Sequence, residues 1–307
     1  MKISTSLYFD RSTQQLSTVQ SNLAKTQEQL STGKNIVKPS DAPDKAALVT
    51  RLQSELSRNT SYQDTLKSAN VRLTSEETAL KNTTDVLYRI KELAVQGANA
   101  TLSPQDRQSV ALEMKGLREQ IMGLANSQDS NGNFLFSGSR TGQPAFAQDA
   151  TGRVVYQGDQ SRMKVNVGDN RRMNLNMPGS DAFVRVTRTD DKGAQTGVDF
   201  FQSLDDLANA VSSGDMSKVQ RGIAEVDGLQ NGISNGLAQV GSDLSVVDLQ
   251  TSVLDEVVLR LKTTQSDVED LDYTSAITKM NKDQLALEAA QSSFSKISQM
   301  SLFKFIN

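Results

Sequence analysis

Cysteine, histidine and tryptophan are all missing from the 307-residue chain. Each absence closes a class of chemistry. Without Cys there is no thiol nucleophile and no disulfide, and without His there is no Ser–His–Asp triad. With both missing, no His/Cys zinc site can be built. A chain free of Cys fits a reducing cytosol or export without disulfides. Aromatic residues are scarce at 5%, and hydrophobic residues reach only 36%. That is thin for a single globular core of this length and favours an elongated shape. A surplus of one charge is also lacking, since 33 Lys+Arg stand against 36 Asp+Glu for a formal net charge of -3. The balance implies neither a nucleic-acid partner nor an anionic membrane surface, both of which favour concentrated positive charge. No apolar run approaches a membrane span, and Leu7-Tyr8-Phe9 is too short for a signal-peptide core, so no membrane insertion and no cleaved secretory signal are expected.

What the sequence does have is a seven-residue beat. Phe9, Leu16, Leu23 and Leu30 keep it near the start, with Ser12, Val19 and Thr26 between them. This is the seam of a helix under-wound to 3.5 residues per turn. Gly33 to Pro43 breaks it, with prolines at 39 and 43 and a helix cap expected at Ser40 or Asp41. Leu52, Leu66, Leu73, Leu80, Leu87 and Ala94 then resume the spacing. A helix from near Ala46 to Gln96 would span roughly 75 Å. Ser103-Pro104-Gln105-Asp106 is a helix start, and Val110, Met114, Leu117, Ile121 and Leu124 give the next helix one apolar face.

From Asn131-Gly132 the period shortens. Phe134-Leu135-Phe136, Val154-Val155-Tyr156, Met163/Val165/Val167, Met173/Leu175/Met177 and Phe183/Val184/Val186 are short runs punctuated by glycine, which predicts a small β insert of hairpins. Helical spacing returns near Leu204. Val246, Leu249, Val253, Val257, Leu261, Val268 and Leu271 form one stripe, and Ile277, Met280, Leu287, Phe294 and Ile297 a second.

The fold class expected is therefore mainly α with a small β insert, an elongated rod of long antiparallel helices plus terminal helices. The predicted divisions are 1–44 with 272–307 for the terminal helices, 45–133 with 204–271 for the rod, and 134–203 for the β domain. The rod core is read as Leu66, Leu73, Leu80, Leu87, Leu117, Ile121, Val253 and Leu261. The terminal seams are poorer, with Ser12, Thr26, Gln284, Gln291 and Ser298 at positions that a stable coiled coil fills with apolar residues. Burying one Leu contributes about 1.5–3 kcal/mol, while ordering each residue costs about 1–2 kcal/mol. Two thin stripes do not clearly win that contest. Both ends are expected to be loose in a monomer and to fold on assembly. The assembly residues are Phe9, Leu16, Leu23, Leu30, Ile277, Met280, Leu287, Phe294, Ile297 and Leu302.

No constellation for catalysis, cofactor or metal emerges. Asp267, Glu269, Asp270 and Asp272 lack the glycine turn and spacing of a calcium loop and read as a solvated helix face or hinge. Glu76-Glu77 and Asp205-Asp206 are adjacent pairs and read as surface charges. Asn59-Thr60-Ser61 and Asn82-Thr83-Thr84 match a glycosylation acceptor but fall on the predicted long helix.

Certain motifs go further. Leu30-Ser31-Thr32-Gly33-Lys34 through Lys38-Pro39-Ser40-Asp41-Ala42-Pro43 resembles the stretch of the flagellin superfamily where a first helix ends and a long one begins. Leu271-Asp272-Tyr273 through Ala289-Ala290-Gln291 to Ser301-Leu302-Phe303 is similar to that superfamily's closing segment. Phe134-Leu135-Phe136-Ser137-Gly138-Ser139, Pro144-Ala145-Phe146, Val155-Tyr156-Gln157-Gly158-Asp159 and Val240-Gly241-Ser242-Asp243-Leu244 resemble its hook–filament junction branch more than its filament subunits. The resemblance implies a non-enzymatic building block of the bacterial flagellum, exported unfolded through a type III apparatus with its C-terminal segment held by an export chaperone. The chain would be cytoplasmic before export and extracellular afterwards. Its implied partners are copies of itself in a ring, a hook-associated protein on the hook side, and a flagellin or flagellin-like neighbour on the filament side. Two other readings stay open: a flagellin filament subunit, and a carboxylate-dependent hydrolase whose β insert carries the chemistry.

Overall fold

The computed structural model describes residues 2–189 and 194–306. Seven helices and three two-stranded hairpins make up the regular structure of these residues. Helix α1 (Lys2–Thr32) ends at Gly33, whose φ of +71° is the left-handed conformation that stops a helix. A 3₁₀ turn, Pro39–Asp41, precedes α2 (Pro43–Gly97). Asp41 closes that turn by accepting the Lys38 backbone N–H at 3.1 Å, so it caps the turn and not the long helix. Pro43 opens α2, where its missing N–H leaves nothing unpaired. Helix α3 (Pro104–Ala125) starts as its sequence predicts, with Ser103 Oγ accepting the Asp106 N–H at 3.2 Å.

The insert is three separate antiparallel hairpins: β1 (Phe146–Gln148) with β2 (Val154–Tyr156), β3 (Lys164–Gly168) with β4 (Arg171–Asn174), and β5 (Val186–Thr189) with β6 (Gln195–Val198). A short helix, α4 (Gly179–Ala182), lies between the second and third. Two predicted strand runs depart from the structure, one wholly and one in part. Phe134-Leu135-Phe136 forms only an isolated bridge to Gln128, because the carbonyls of Phe134 and Leu135 accept from the Arg72 guanidinium. The Met173/Leu175/Met177 run leaves β4 after Asn174, and Leu175 donates instead to the Met163 carbonyl at 2.8 Å. Helices α5 (Phe200–Ser213), α6 (Met216–Glu269) and α7 (Tyr273–Ile306) complete the chain.

The chain divides into two compact units, Met1–Asn59 with Glu256–Asn307, and Thr60–Asp255. The core of the second unit follows from two facing ladders. On α2, Leu66, Leu73, Leu80 and Leu87 are fully buried. On α6, Val219, Val226, Ile233, Val240, Val247 and Leu254 are buried at strict seven-residue spacing. The two run antiparallel, tied by a Lys91–Asp227 ion pair and a Gln63–Asp255 hydrogen bond of 2.6 Å. This ladder displaces the predicted stripe by one residue: Val253 is 43% exposed and Leu254 points inward, because only the latter shares a face with Val240 and Val247. Ile121 is buried on α3, Leu117 half-buried beside it, and α3 packs on α5. Phe146, Phe183, Phe200 and Phe201 meet mostly edge to face at 5.2–5.3 Å, anchoring hairpin β1–β2 to α5.

Small residues on α6 admit this insert. A Cβ on Gly232 would stand 3.1 Å from the Ala182 carbonyl oxygen, and one on Gly236 3.1 Å from Ala182 Cβ and 3.3 Å from Met177 Cε. Gly222 likewise leaves room for Leu207.

The acidic pairs are corrected by the fold. Glu76 is buried at a ladder position, while Glu77 pairs with Lys81 at 2.7 Å. Asp205 is half-buried against Arg118 at 3.0 Å, and Asp206 meets Arg188 at 2.6 Å. Arg188 also pairs with the buried Glu225 at 2.7 Å. Truncating a fully buried ladder residue, Leu80→Ala, should lower the chemical-denaturation stability of the second unit by about 2–5 kcal/mol. The same change at Leu112, 74% exposed on α3, should stay within about 0.5 kcal/mol.

Candidate assembly interface

The first unit is organised by α1 and α7, which pack against each other. On α1 the predicted seam faces inward but only half closes: Ser12, Leu16, Val19, Leu23 and Leu30 are half-buried, and Thr26 is fully buried with its hydroxyl on the Asn22 carbonyl at 3.0 Å. Phe9 is 42% exposed, and its ring lies 4.9 Å from that of Phe294. On α7 the inward positions are Ala276, Met280, Asp283, Leu287, Ala290 and Phe294. Counting from Ile277 therefore misplaces half of that seam. Ile277, Gln284 and Gln291 are exposed, because the residues that share a face with Met280 and Leu287 are one place earlier. Ile297, Ser298 and Leu302 lie outside the residues whose side chains are described. Leu261, predicted for the rod core, is half-buried and belongs to this first unit.

The α1 C-terminus and the α7 N-terminus are joined by backbone. The Leu271 N–H donates to the Gly33 carbonyl at 3.0 Å, and the Asn35 N–H to the Glu269 carbonyl at 2.7 Å. Gln29 Nε2 adds a bond to the Asn35 carbonyl at 2.6 Å. The acidic run read as a solvated helix face or hinge lies at the break between α6 and α7 and is part of this junction. Glu269 is buried, pairs with the Lys34 ammonium and accepts from Gln265 Nε2 at 2.7 Å. The Lys34 hydrogen bond, aided by Gln265, holds its carboxyl below the usual range. Asp272 caps α7, taking the Ser275 hydroxyl at 2.7 Å and the N–H groups of Ser275 and Thr274, which depress its carboxyl. Lys25 reaches Asp41 at 2.8 Å, and with the Lys38 backbone it keeps that carboxylate ionised.

Chemically, the site offers a two-helix seam closed on one side. One carboxylate oxygen of Asp283 is buried in it without a hydrogen-bond partner. Outward, α7 carries Tyr273, Ile277 and Leu285, the last 68% exposed. Reading the sequence from Ile277 misses Ala276, Asp283 and Leu285; counting back from Phe294 by sevens and half-sevens finds the first two. Among the described residues no three acidic side chains gather as a metal would require, and no helix is long and apolar enough to cross a membrane.

Comparison with known proteins places this arrangement. The model of the bacterial flagellin N-terminal helical region matches residues 3–141, and that of the flagellin C-terminal helical region matches 223–306. Flagellar hook-associated protein 3 of Salmonella typhimurium is 30% identical over 99% of this chain and 99% of its own. The chain belongs to the flagellin family, in its hook-associated protein 3 branch. A flagellin of Listeria monocytogenes is 24% identical over 97% of this chain and 96% of its own. The crystal structure of Xanthomonas campestris FlgL shares the fold, with a TM-score of 0.62 and 22% identity over 71% of this chain and 99% of that one. The first match begins at residue 3, within α1, and the second ends at residue 306, within α7, so the α1–α7 seam is made of the family's own terminal regions.

The Gly33 junction is testable wherever α1 and α7 are ordered together. Gly33→Ala forces a side chain into a left-handed φ and should cost about 1–2 kcal/mol. Hydrogen exchange of the Asn35 and Leu271 amides should speed up accordingly; unchanged protection would show that the turn absorbs the strain.

Proposed function

We propose that the chain is a non-enzymatic structural component of the bacterial flagellum, located at the hook–filament junction and held there by intersubunit packing of its terminal helices. The observation that carries this reading is the α1–α7 seam, a two-helix contact whose ladder residues, Thr26 and Ala276 apart, stay half-exposed and which buries an unpartnered Asp283 oxygen. Such a seam gains most when neighbouring subunits cover its open side, since each additional buried apolar side chain contributes about 1.5–3 kcal/mol. Near full-length kinship with Flagellar hook-associated protein 3 supports the location.

On this reading segments 1–44 and 272–307 are loose before assembly and become ordered beside copies of the same chain. Phe9, Leu16, Leu23, Leu30, Ile277, Met280, Leu287 and Phe294 make the interface, with Ile277 on the outward face and Ile297 and Leu302 extending it. Segments 45–133 and 204–271 form the rod and 134–203 the β domain. A hook-associated protein would adjoin one side of the ring and a flagellin or flagellin-like protein the other. Export through the type III apparatus, with a chaperone on the C-terminal segment, would carry the chain from cytoplasm to the cell exterior.

A strain lacking the chain should retain hooks yet shed filament subunits into the medium; filament loss caused by absent subunits would instead favour a filament role. Limited proteolysis of the purified monomer should trim both ends to a core near residues 45–270, and resistant termini would contradict the loose-end idea. Leu287→Ser with Phe294→Ser should abolish junction assembly in the complemented strain and leave the melting of that core within about 0.5 kcal/mol. Collapse of the core would assign these residues to the monomer's own packing.

A further inference from the structure

Glu76 stands on the α2 ladder between Leu73 and Leu80, in a seam position shared with Ala69, Thr83 and Ile90, and it is 0% exposed. Neither of its carboxyl oxygens has a hydrogen-bond partner. Four groups bear on it from the surrounding elements. Arg72, on the same helix, places Nε 3.4 Å from Glu76 Oε1, and that Nε is itself buried and unbonded. Asp243 faces it from α6, and the Met177 backbone approaches from the segment after β4 without completing a bond. Asp129, in the loop after α3, is reached through Arg72.

The Arg72 guanidinium is already committed to that loop. Its Nη1 donates to Asp129 Oδ2 at 3.1 Å, and its Nη2 to the Leu135 carbonyl at 2.9 Å and the Phe134 carbonyl at 3.3 Å. Asp129 in turn organises the loop, accepting the N–H groups of Asn131 at 2.8 Å and Asn133 at 3.0 Å. A neutral Glu76 makes no claim on Arg72. An ionised Glu76 in this apolar seam must draw a cation, and Arg72 is the cation placed to answer.

We propose that Glu76 is a proton-controlled latch: protonated, it leaves Arg72 clamping the 129–135 loop, and ionised, it pulls the guanidinium inward and releases that loop. Burial, opposed by Arg72 and the Met177 backbone and aided by Asp243, pushes the carboxyl up to about 8. The folded chain therefore holds this proton where the unfolded chain has lost it. Stability is highest below the ordinary Glu range and falls as pH rises from there to about 8, then levels off.

The test uses the full chain at constant ionic strength, comparing the native sequence with Glu76→Gln between about pH 5 and about pH 9. The native chain should lose denaturation stability over that interval, and the protection factors of the Asn131 and Asn133 amides should drop with pH by up to about tenfold per pH unit. Glu76→Gln should keep both measures nearly constant. Parallel pH curves for the two chains would overturn the latch, as would loosening elsewhere with the loop still protected. Should Glu76→Gln fail to fold, the native chain's exchange map decides: pH-independent protection at Asn131 and Asn133 overturns the proposal.

Discussion

A helix that buries one side chain in each seven residues can meet a second helix along its whole length, provided both keep count. The second unit rests on that constraint. Leu66 through Leu87 on α2 and Val219 through Leu254 on α6 hold the same interval in opposite directions, and every other element packs where the paired ladders leave space. Hairpins, α3 and α5 do not compete with the ladder; they cover it. Where the count meets a polar residue, as at Glu76, the structure responds with a buried cation and a tethered loop.

The first unit obeys the same interval with poorer material. Ser12, Thr26, Ala276 and Asp283 occupy positions that leucine and valine hold in the second unit. The geometry of packing is preserved and its yield is not. That contrast within one chain separates a region that closes on itself from one that leaves apolar surface for neighbours, and it agrees with the proposed role in a multi-subunit junction. The ends are still fixed to each other by main-chain bonds at Gly33, Asn35, Glu269 and Leu271, which no side-chain substitution other than at glycine removes directly.

Much of this was legible in the residues. Periodicity gave the long helices, the Ser103-Pro104 start and the Gly33 stop, because those signals are local and depend on backbone chemistry alone. The register of α6 and α7 was misread by one residue, at Val253 and Ile277, since a run with several apolar residues in adjacent places permits two stripes and only the opposing helix selects one. The burial of Glu76 and Glu269 was invisible for a related reason: each sits against a cation that only the fold turns toward it, Arg72 one turn back and Lys34 far along the chain but adjacent in space. Phe134-Leu135-Phe136 had the composition of a strand, but its carbonyls were taken by that same Arg72.

The glycine-lined side of α6 sets a boundary on how far the insert can change. Ala182, Val184 and Met177 lie against bare backbone at Gly232 and Gly236, where one added methyl group meets an atom already present. Descendants of this chain are thus free to lengthen or recolour the tips of the three hairpins, while the stretch that seats on those glycines has to stay small and unchanged in path. Diversity on the outer surface is purchased by uniformity beneath it.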